Sequence, residues 1–377
     1  MKGAACEIAV LPGDGIGPEV VREGLKVLAA LAEGDAAPWH AMEYAGGAQY
    51  YLAHGREWEA ETEAAAHRAD AVLLGAVGWP GATLPNGDIA GRALVLGLRE
   101  GLDLFANVRP CRLYPGVRHR VSQELKEVWS PQNVDLVIVR ENTEDLYTPA
   151  RGRLRRGGVT EVAIDTRVIT QKGTERIVRF AYDLVRRRGR GAPADGARRA
   201  TCVDKSNVLE GCRYFRETFD RLGAEYPEVV RDYAYVDAFT QWLVRSPERY
   251  NVVVAPNMMG DIITDLAAVL QGGMGFAAGG NVGLEHAMFE PVHGSAPKYA
   301  GKNQVNPFAT FLAVEQMLRW LGDRRGDPRF ARQADRLERA IAATLAAGTA
   351  RTYDQGGSVT TSGAGDLVAA AIRREPR

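Results

Sequence analysis

Residues 250–265 read Tyr250-Asn251-Val252-Val253-Val254-Ala255-Pro256-Asn257-Met258-Met259-Gly260-Asp261-Ile262-Ile263-Thr264-Asp265. The run YNVVVA is short, apolar and rich in valine, as expected of a strand buried on both faces of an α/β sheet. The segment after it lies where such sheets bind ligands, beyond the carboxyl end of a strand. If a helix begins near Gly260, Asp261 and Asp265 stand one turn apart on one face. Two neighbouring carboxylates repel unless a cation lies between them, and hard oxygen donors at this spacing suit Mg²⁺ or Mn²⁺. An acidic first turn that merely complements the helix dipole gives the same pattern.

Working outward, Ile8–Leu11 predicts a strand, then a Gly-rich turn and a helix from about Pro18 to Ala32. Ala71–Leu74, ended by Gly75, and Val134–Val139 are further buried strands. Strands alternating with helices define an α/β fold. Val159–Thr170 instead partly alternates and comes after the Arg- and Gly-rich Arg151–Gly158, which predicts an exposed β-ribbon arm able to join subunits. The loop Arg186–Arg199 carries six arginines. It reads either as a phosphate-binding patch or as a solvated helix end and linker; the lack of any basic surplus elsewhere favours the second.

The chain has 377 residues, 46% of them hydrophobic, enough for two domains or one large α/β unit. Its formal net charge of zero gives no reason to expect nucleic acid or an anionic membrane as partner. Cys6, Cys111, Cys202 and Cys212 form no CxxC pair, so a disulfide framework or structural zinc is not expected. Neither a signal-like start nor a membrane-length apolar run occurs, and the expected location is the cytoplasm.

Four other stretches carry polar groups at places where chemistry is done. Leu11–Glu19 (LPGDGIGPE) spaces three glycines between a strand and a helix. It reads as a tight turn or a ligand loop and does not have the G-x-G-x-x-G of a Rossmann site. A G-x-G-x-x-A match at Gly273–Ala278 is too short to carry meaning alone. Val139–Tyr147 (VRENTEDLY) places charges directly after a buried strand, as a functional or simply solvated loop. Val203–Asn207 (VDKSN) contains a lysine that composition alone would leave on the surface. Glu290–Pro297 (EPVHGSAP) could cradle a phosphate, and its histidine could equally be a hydrogen-bonded loop residue.

In this order the motifs resemble the isocitrate/isopropylmalate dehydrogenase family, the β-decarboxylating dehydrogenases. The resemblance runs from LPGDGIGPEV to HGSAPKYAGK and the VNP after it, and is most specific in NMMGDIITDLAAVLQGGMGFAAGGNVG, where Met259 replaces a usual aromatic. It implies a two-domain, non-Rossmann α/β fold. Residues 1–108 and 250–377 would form the large cofactor-binding domain, residues 109–249 a smaller dimerisation and substrate domain, and the ribbon a dimer clasp. It places substrate arginines at Arg99, Arg109 and Arg140, where guanidiniums suit a di- or tricarboxylate. It makes Tyr147 and Lys205 catalytic, as acid and base, and Asp237, Asp261 and Asp265 metal ligands for Mg²⁺ or Mn²⁺. Lys205 and Asp237 would reach in from the second subunit of a homodimer with shared sites.

The resemblance also places the nucleotide on His293, Gly294, Ser295, Ala296, Lys298, Tyr299, Val305 and Asn306. The pair Lys298-Tyr299, with Tyr353, is similar to NADP-preferring members, whereas Gly357 replaces an arginine those members carry; NADP is favoured over NAD. Residues contacting the C3 substituent would be Arg92, Val95 and Leu96. Val95 and Leu96 lean toward isopropylmalate enzymes, while Arg92 and ENTEDLY lean toward a substituent with a remote carboxylate, as in homoisocitrate. A tartrate or D-malate dehydrogenase, or a non-catalytic regulatory member, are the alternatives.

Overall fold

The computed structural model describes residues 5–33 and 38–375, and its contacts divide the chain into two units. One comprises the segment up to Leu104, Leu113–Pro131 and Ala268 onward. Its sheet runs in the order Ala278–Val282, Ala287–Pro291, Ala71–Ala76, Cys6–Gly13, Trp39–Glu43. All neighbours are parallel except the first pair. Every residue of Ala71–Ala76 is buried, as its unbroken apolar run requires, and the strand continues through Gly75 rather than ending there. Leu11, Leu74, Leu94, Leu98, Leu102 and Leu104 pack together in one core cluster of this unit.

The glycine-rich segment after Cys6–Gly13 is a tight turn into the helix Gly17–Ala32. Buried Asp14 accepts hydrogen bonds from the backbone N–H groups of Ala48, Gln49 and Gly78 at 2.7–2.8 Å. The Ile16 N–H donates to the Ser295 carbonyl at 2.9 Å, so the turn also fixes the His293–Ala296 loop.

The second unit comprises Phe105–Arg112 and Gln132–Ala267. Its strands run in the order Val230–Tyr235, Arg199–Asp204, Val252–Ala255, Asp135–Glu141, Ala106–Arg112. The first four are parallel and the last is antiparallel to its neighbour. The expected boundaries 1–108, 109–249 and 250–377 therefore do not match these units. Val252–Ala255 pairs on one side with Arg199–Asp204 and on the other with Asp135–Glu141, which draws it and the start of the next helix into the second unit.

Two local expectations change, and the favoured reading of the arginine-rich stretch as a helix end holds. The helix after Val252–Ala255 begins at Asn257, not near Gly260. Arg140 and Glu141 lie within the strand Asp135–Glu141, not beyond it. Arg186, Arg187 and Arg188 form the last turn of the helix Gln171–Arg188, where cations complement the dipole. Arg188 and Arg190 pair with Asp135, Arg186 with Glu228 and Arg199 with Asp195, so four of the six arginines are engaged by acids at this helix end and its linker. Arg151–Arg156 and Val159–Asp165 form the expected antiparallel ribbon, every residue of it exposed.

All four cysteines are free and buried. Burial pushes the Cys6 thiol up to about 12 and the Cys111 and Cys202 thiols upward as well, so little thiolate exists at neutral pH. The native protein should therefore resist a thiol reagent such as Ellman's reagent, and all four thiols should react once it is unfolded in guanidinium. Fast labelling of the native protein would contradict this packing.

Candidate active site

The second unit gathers its chemistry at the start of the helix Asn257–Leu270. Arg140, on the neighbouring strand, has a guanidinium almost wholly buried, with 2% of its side chain exposed. A buried cation is stable only when paired and hydrogen-bonded. Its Nε and Nη2 donate to the Asn257 side-chain oxygen at 3.0 and 2.7 Å, Nε also to the Asn257 carbonyl at 3.0 Å, and Nη1 pairs with Asp261. Gly260 makes this approach possible, since a Cβ there would lie 2.6 Å from Arg140 Cγ.

Arg109 reaches the same helix from the antiparallel strand. It donates to Asn107 and Thr264 at 2.8 Å each, and lies 3.4 Å from Asp265 and 3.6 Å from Asp261. Asp261 and Asp265 thus do share a face, and two guanidiniums offset their charge. Tyr147 Oη donates to Asp261 Oδ2 at 2.7 Å, and its ring lies 5.1 Å from the Arg140 guanidinium carbon. Burial pushes the Tyr147 phenol upward, and the adjoining carboxylate adds to the shift, so the group keeps its proton at neutral pH.

The loop carrying Tyr147 is fixed by buried carboxylates. Asp145, at φ 68°, accepts from Arg167 Nε at 2.5 Å and from the Met258 N–H at 3.1 Å. Glu141 accepts from the N–H groups of Thr143 and Glu144 at 2.9 and 2.8 Å, and burial pushes its carboxyl upward.

Lys205 and Asp237 form a separate pair at 2.8 Å. The hydrogen bond from Lys205 holds the exposed Asp237 carboxyl below its ordinary range. Among the described residues no three His, Cys, Asp or Glu side chains converge in one chain, so Asp237 is not brought to Asp261 and Asp265. The chemistry of the pair Asp261–Asp265, exposed hard oxygens at one helix turn, nevertheless fits a divalent cation.

In the first unit, Arg99 is buried and pairs with Glu290 at 2.9 Å, whose carboxylate also accepts from Asn281 at 2.8 Å. Val95 and Leu96 lie in a π-helical turn, Ala93–Gly97, preceded by Arg92. The Glu57 carboxylate accepts from the N–H groups of Gly91 and Ala93, at 2.7 and 3.1 Å, and so pins the backbone on both sides of Arg92. Arg92 is half-buried and makes no hydrogen bond or ion pair among the described residues.

The His293–Asn306 segment has features that fit a nucleotide. His293 Nδ1 faces the Gly294 carbonyl at 3.1 Å, while Nε2 is enclosed and has no partner among the described residues. Burial pushes the imidazole downward, toward its neutral form. Ser295 is held by the Leu11–Glu19 turn. Gly294 is exposed, and Ala296 adopts a left-handed φ of 39°. Lys298 and Lys302 approach the Tyr299 ring at 5.0 and 5.9 Å, and Glu19 accepts from the Gly301 and Asn303 N–H groups beneath them. The Val305 carbonyl accepts from Thr361 at 2.7 Å, and Asn306 bridges the Phe308 N–H and Asp354 at 2.9 and 3.0 Å. Gly357 has no room for a side chain, since a Cβ there would lie 2.0 Å from the Arg351 carbonyl.

A family model described as isocitrate/isopropylmalate dehydrogenase matches residues 7–368. The chain belongs to the isocitrate/isopropylmalate dehydrogenase family. It is 41% identical to the 3-isopropylmalate dehydrogenase of Leifsonia xyli subsp. xyli over 369 residues, 97% of each chain. It is likewise 41% identical to the 3-isopropylmalate dehydrogenase of Thermobifida fusca, over the full length of both. Among solved structures, the isocitrate dehydrogenase from Methylococcus capsulatus superposes with a TM-score of 0.85 at 31% identity, covering 98% of this chain and 100% of that one. A β-decarboxylating dehydrogenase from Thermococcus kodakarensis gives 0.76 at 34% identity, covering 97% and 96%. The chain is a β-decarboxylating dehydrogenase, and its family implies a pyridine nucleotide and a divalent metal.

The sequence motifs did not single out Asn257, Thr264, Asn107 or Glu290. Asn257 precedes the acidic pair in sequence and Thr264 lies between its members, but only their partners on distant strands reveal their use. Asn257→Ala should remove the side-chain acceptor that Arg140 Nη2 and Nε share, leaving Nε its bond to the Asn257 carbonyl, and cost about 1–3 kcal/mol. Equilibrium urea unfolding checks this; a midpoint equal to wild type would remove Asn257 from the network.

Proposed function

We propose that the chain catalyses oxidative decarboxylation of a 3-substituted (2R)-malate of the 3-isopropylmalate type, as a homodimer with shared sites. The observation that carries the proposal is the cluster of Arg109, Arg140 and Tyr147 around Asp261 and Asp265. Two guanidiniums already held in place exchange their aspartate partners for substrate carboxylates at little cost in reorganisation. Arg99 is the third proposed carboxylate ligand. The curated relatives at 41% identity are 3-isopropylmalate dehydrogenases, which supports this substrate over tartrate or D-malate.

Asp261, Asp265 and the partner copy's equivalent of Asp237 would hold Mg²⁺ or Mn²⁺. When bound, the cation and the nicotinamide supply Lewis acidity at the C2 oxygen and a hydride acceptor at C2. Lys205 takes the proton from the C2 hydroxyl as base. Tyr147 delivers a proton to C3 after CO₂ leaves, consistent with a phenol that stays protonated at neutral pH. Lys298 and Lys302 beside Tyr299 favour NADP over NAD, because ammonium groups suit a 2′-phosphate. His293, Gly294, Ser295, Ala296, Val305 and Asn306 would hold the rest of the adenosine moiety.

A second reading rests on Arg92. A half-buried guanidinium with no partner among the described residues suits a C3 substituent ending in a carboxylate, as in homoisocitrate. Among the described residues no helix is long and apolar enough to cross a membrane. We place the enzyme in the cytoplasm, acting on small molecules without nucleic acid.

Steady-state assays should cross NAD and NADP with isopropylmalate, homoisocitrate, isocitrate, D-malate and tartrate. We expect turnover of isopropylmalate, faster with NADP and abolished by EDTA. Turnover of homoisocitrate alone would favour the second reading, and none with any substrate would favour a binding-only role. Lys205→Met and Tyr147→Phe should each lower kcat by about 10²–10⁴-fold. Shared sites make a further demand: co-expressed Lys205→Met and Asp261→Asn chains should recover about a quarter of wild-type activity, because only mixed dimers contain one intact site. No recovery despite mixed dimers would mean each chain completes its own site.

A further inference from the structure

Beyond its pair with Asp237, Lys205 is surrounded by a network that the proposed chemistry does not yet use. The residue before it, Asp204, is fully buried at the end of its strand. Its carboxylate accepts from Arg216 Nε and Nη2 at 2.8 and 3.0 Å, and from the Ser206 N–H at 2.8 Å. A second arginine, Arg213, donates to the Ser206 carbonyl at 3.1 Å. The backbone on both sides of Lys205 is therefore clamped from the helix Glu210–Gly223.

The clamp extends to the side chain. The Arg216 guanidinium lies 5.2 Å from the ring centroids of both Tyr233 and Tyr235. The Lys205 ammonium lies 5.7 Å from the Tyr235 centroid. One ring thus receives two cations, the guanidinium from the clamp and the ammonium of the proposed base. Tyr233 is held in turn by its hydroxyl, which donates to Asp220.

A lysine stem has four rotatable bonds, and fixing it costs up to about 2 kcal/mol of rotamer entropy. A single exposed ion pair supplies about 1 kcal/mol or less. The pair with Asp237 alone therefore does not hold Lys205 in one rotamer. A ring within cation–π distance supplies a further attraction of the same order, and one with a direction.

We propose that Tyr235 and Arg216 are positioning residues for Lys205: Arg216 fixes the turn and the ring, and the ring fixes the ammonium. The proposal rests on Lys205 being the base of the reaction proposed above. The contribution of Tyr235 is that of its ring face, not of its hydroxyl.

Tyr235 is 39% exposed, so replacing it should leave the fold intact. The test compares Tyr235→Phe, Tyr235→Leu and Arg216→Lys in the full-length protein, with kcat and KM measured at saturating cofactor. A second readout needs no turnover: the acetylation rate of Lys205 by N-hydroxysuccinimide acetate, followed by peptide mass spectrometry, with Lys172 as internal control. We expect Tyr235→Leu to lower kcat about tenfold with KM within twofold, and to change Lys205 acetylation severalfold while Lys172 is unaltered. Tyr235→Phe should match wild type in both, and Arg216→Lys should fall between. Equal behaviour of the Leu and Phe variants in both readouts would overturn the proposal, as would a general loss seen equally at Lys172 and in the melting temperature. If the wild type turns over none of the substrates, the reaction assignment fails, and the acetylation contrast still decides whether Tyr235 holds Lys205.

Discussion

A positive charge buried under a helix start organises the second unit of this dehydrogenase. Arg140 cannot be solvated where it sits, so Asn257 and Asp261 must be presented to it. That requirement fixes the helix Asn257–Leu270 against the strand Asp135–Glu141, and Gly260 lets the two approach. Arg109 repeats the arrangement from the next strand. The result is a set of oppositely charged groups that the protein itself holds in fixed geometry. Such preorganisation is what a carboxylate-binding catalyst requires, because the cost of ordering the groups is met during folding.

The first unit solves a different problem with backbone donors. Asp14 collects three N–H groups, Glu19 two and Glu57 two, and each carboxylate ties together segments far apart in sequence. Loops that would otherwise be mobile gain fixed geometry without occupying the sheet. The His293–Asn306 segment and the turn before Arg99 both depend on these acids. Glu19 and Glu57 carry no chemistry of their own in the proposed reaction, yet the loops proposed to hold the nucleotide and the substituent rest on them.

Much of this was legible in the sequence, and for identifiable reasons. Short, largely apolar runs marked Ala71–Leu74, Val134–Val139 and Tyr250–Ala255, because strands buried on both faces favour apolar side chains. Asp261 and Asp265 could be put on one face because helical spacing is local. The alternating ribbon showed itself by its polarity. Long-range contacts left no such mark. Arg140 looked like a loop residue because charge normally ends a buried strand, and only the partner helix permits it to continue. The division into units was misread because a strand's sheet neighbours cannot be read from its own residues. Asp204, Arg216 and Tyr235 were invisible as a group, since they come from three separate elements.

The π-helical turn Ala93–Gly97 carries a consequence of its own. A π turn holds one residue more than an α turn, as a single-residue insertion into a helix does. Deleting one residue between Arg92 and Arg99 would restore α geometry, leave these two arginines in nearly the same relative orientation, and change which side chain of the turn lies between them. Chain length in this segment is therefore a second variable beside residue identity. A chain one residue shorter here would present a different chemical group at this turn without altering the helix Leu98–Gly101 that follows it. Substrate range in this fold can diverge in one genetic step that no substitution matrix would rank as conservative.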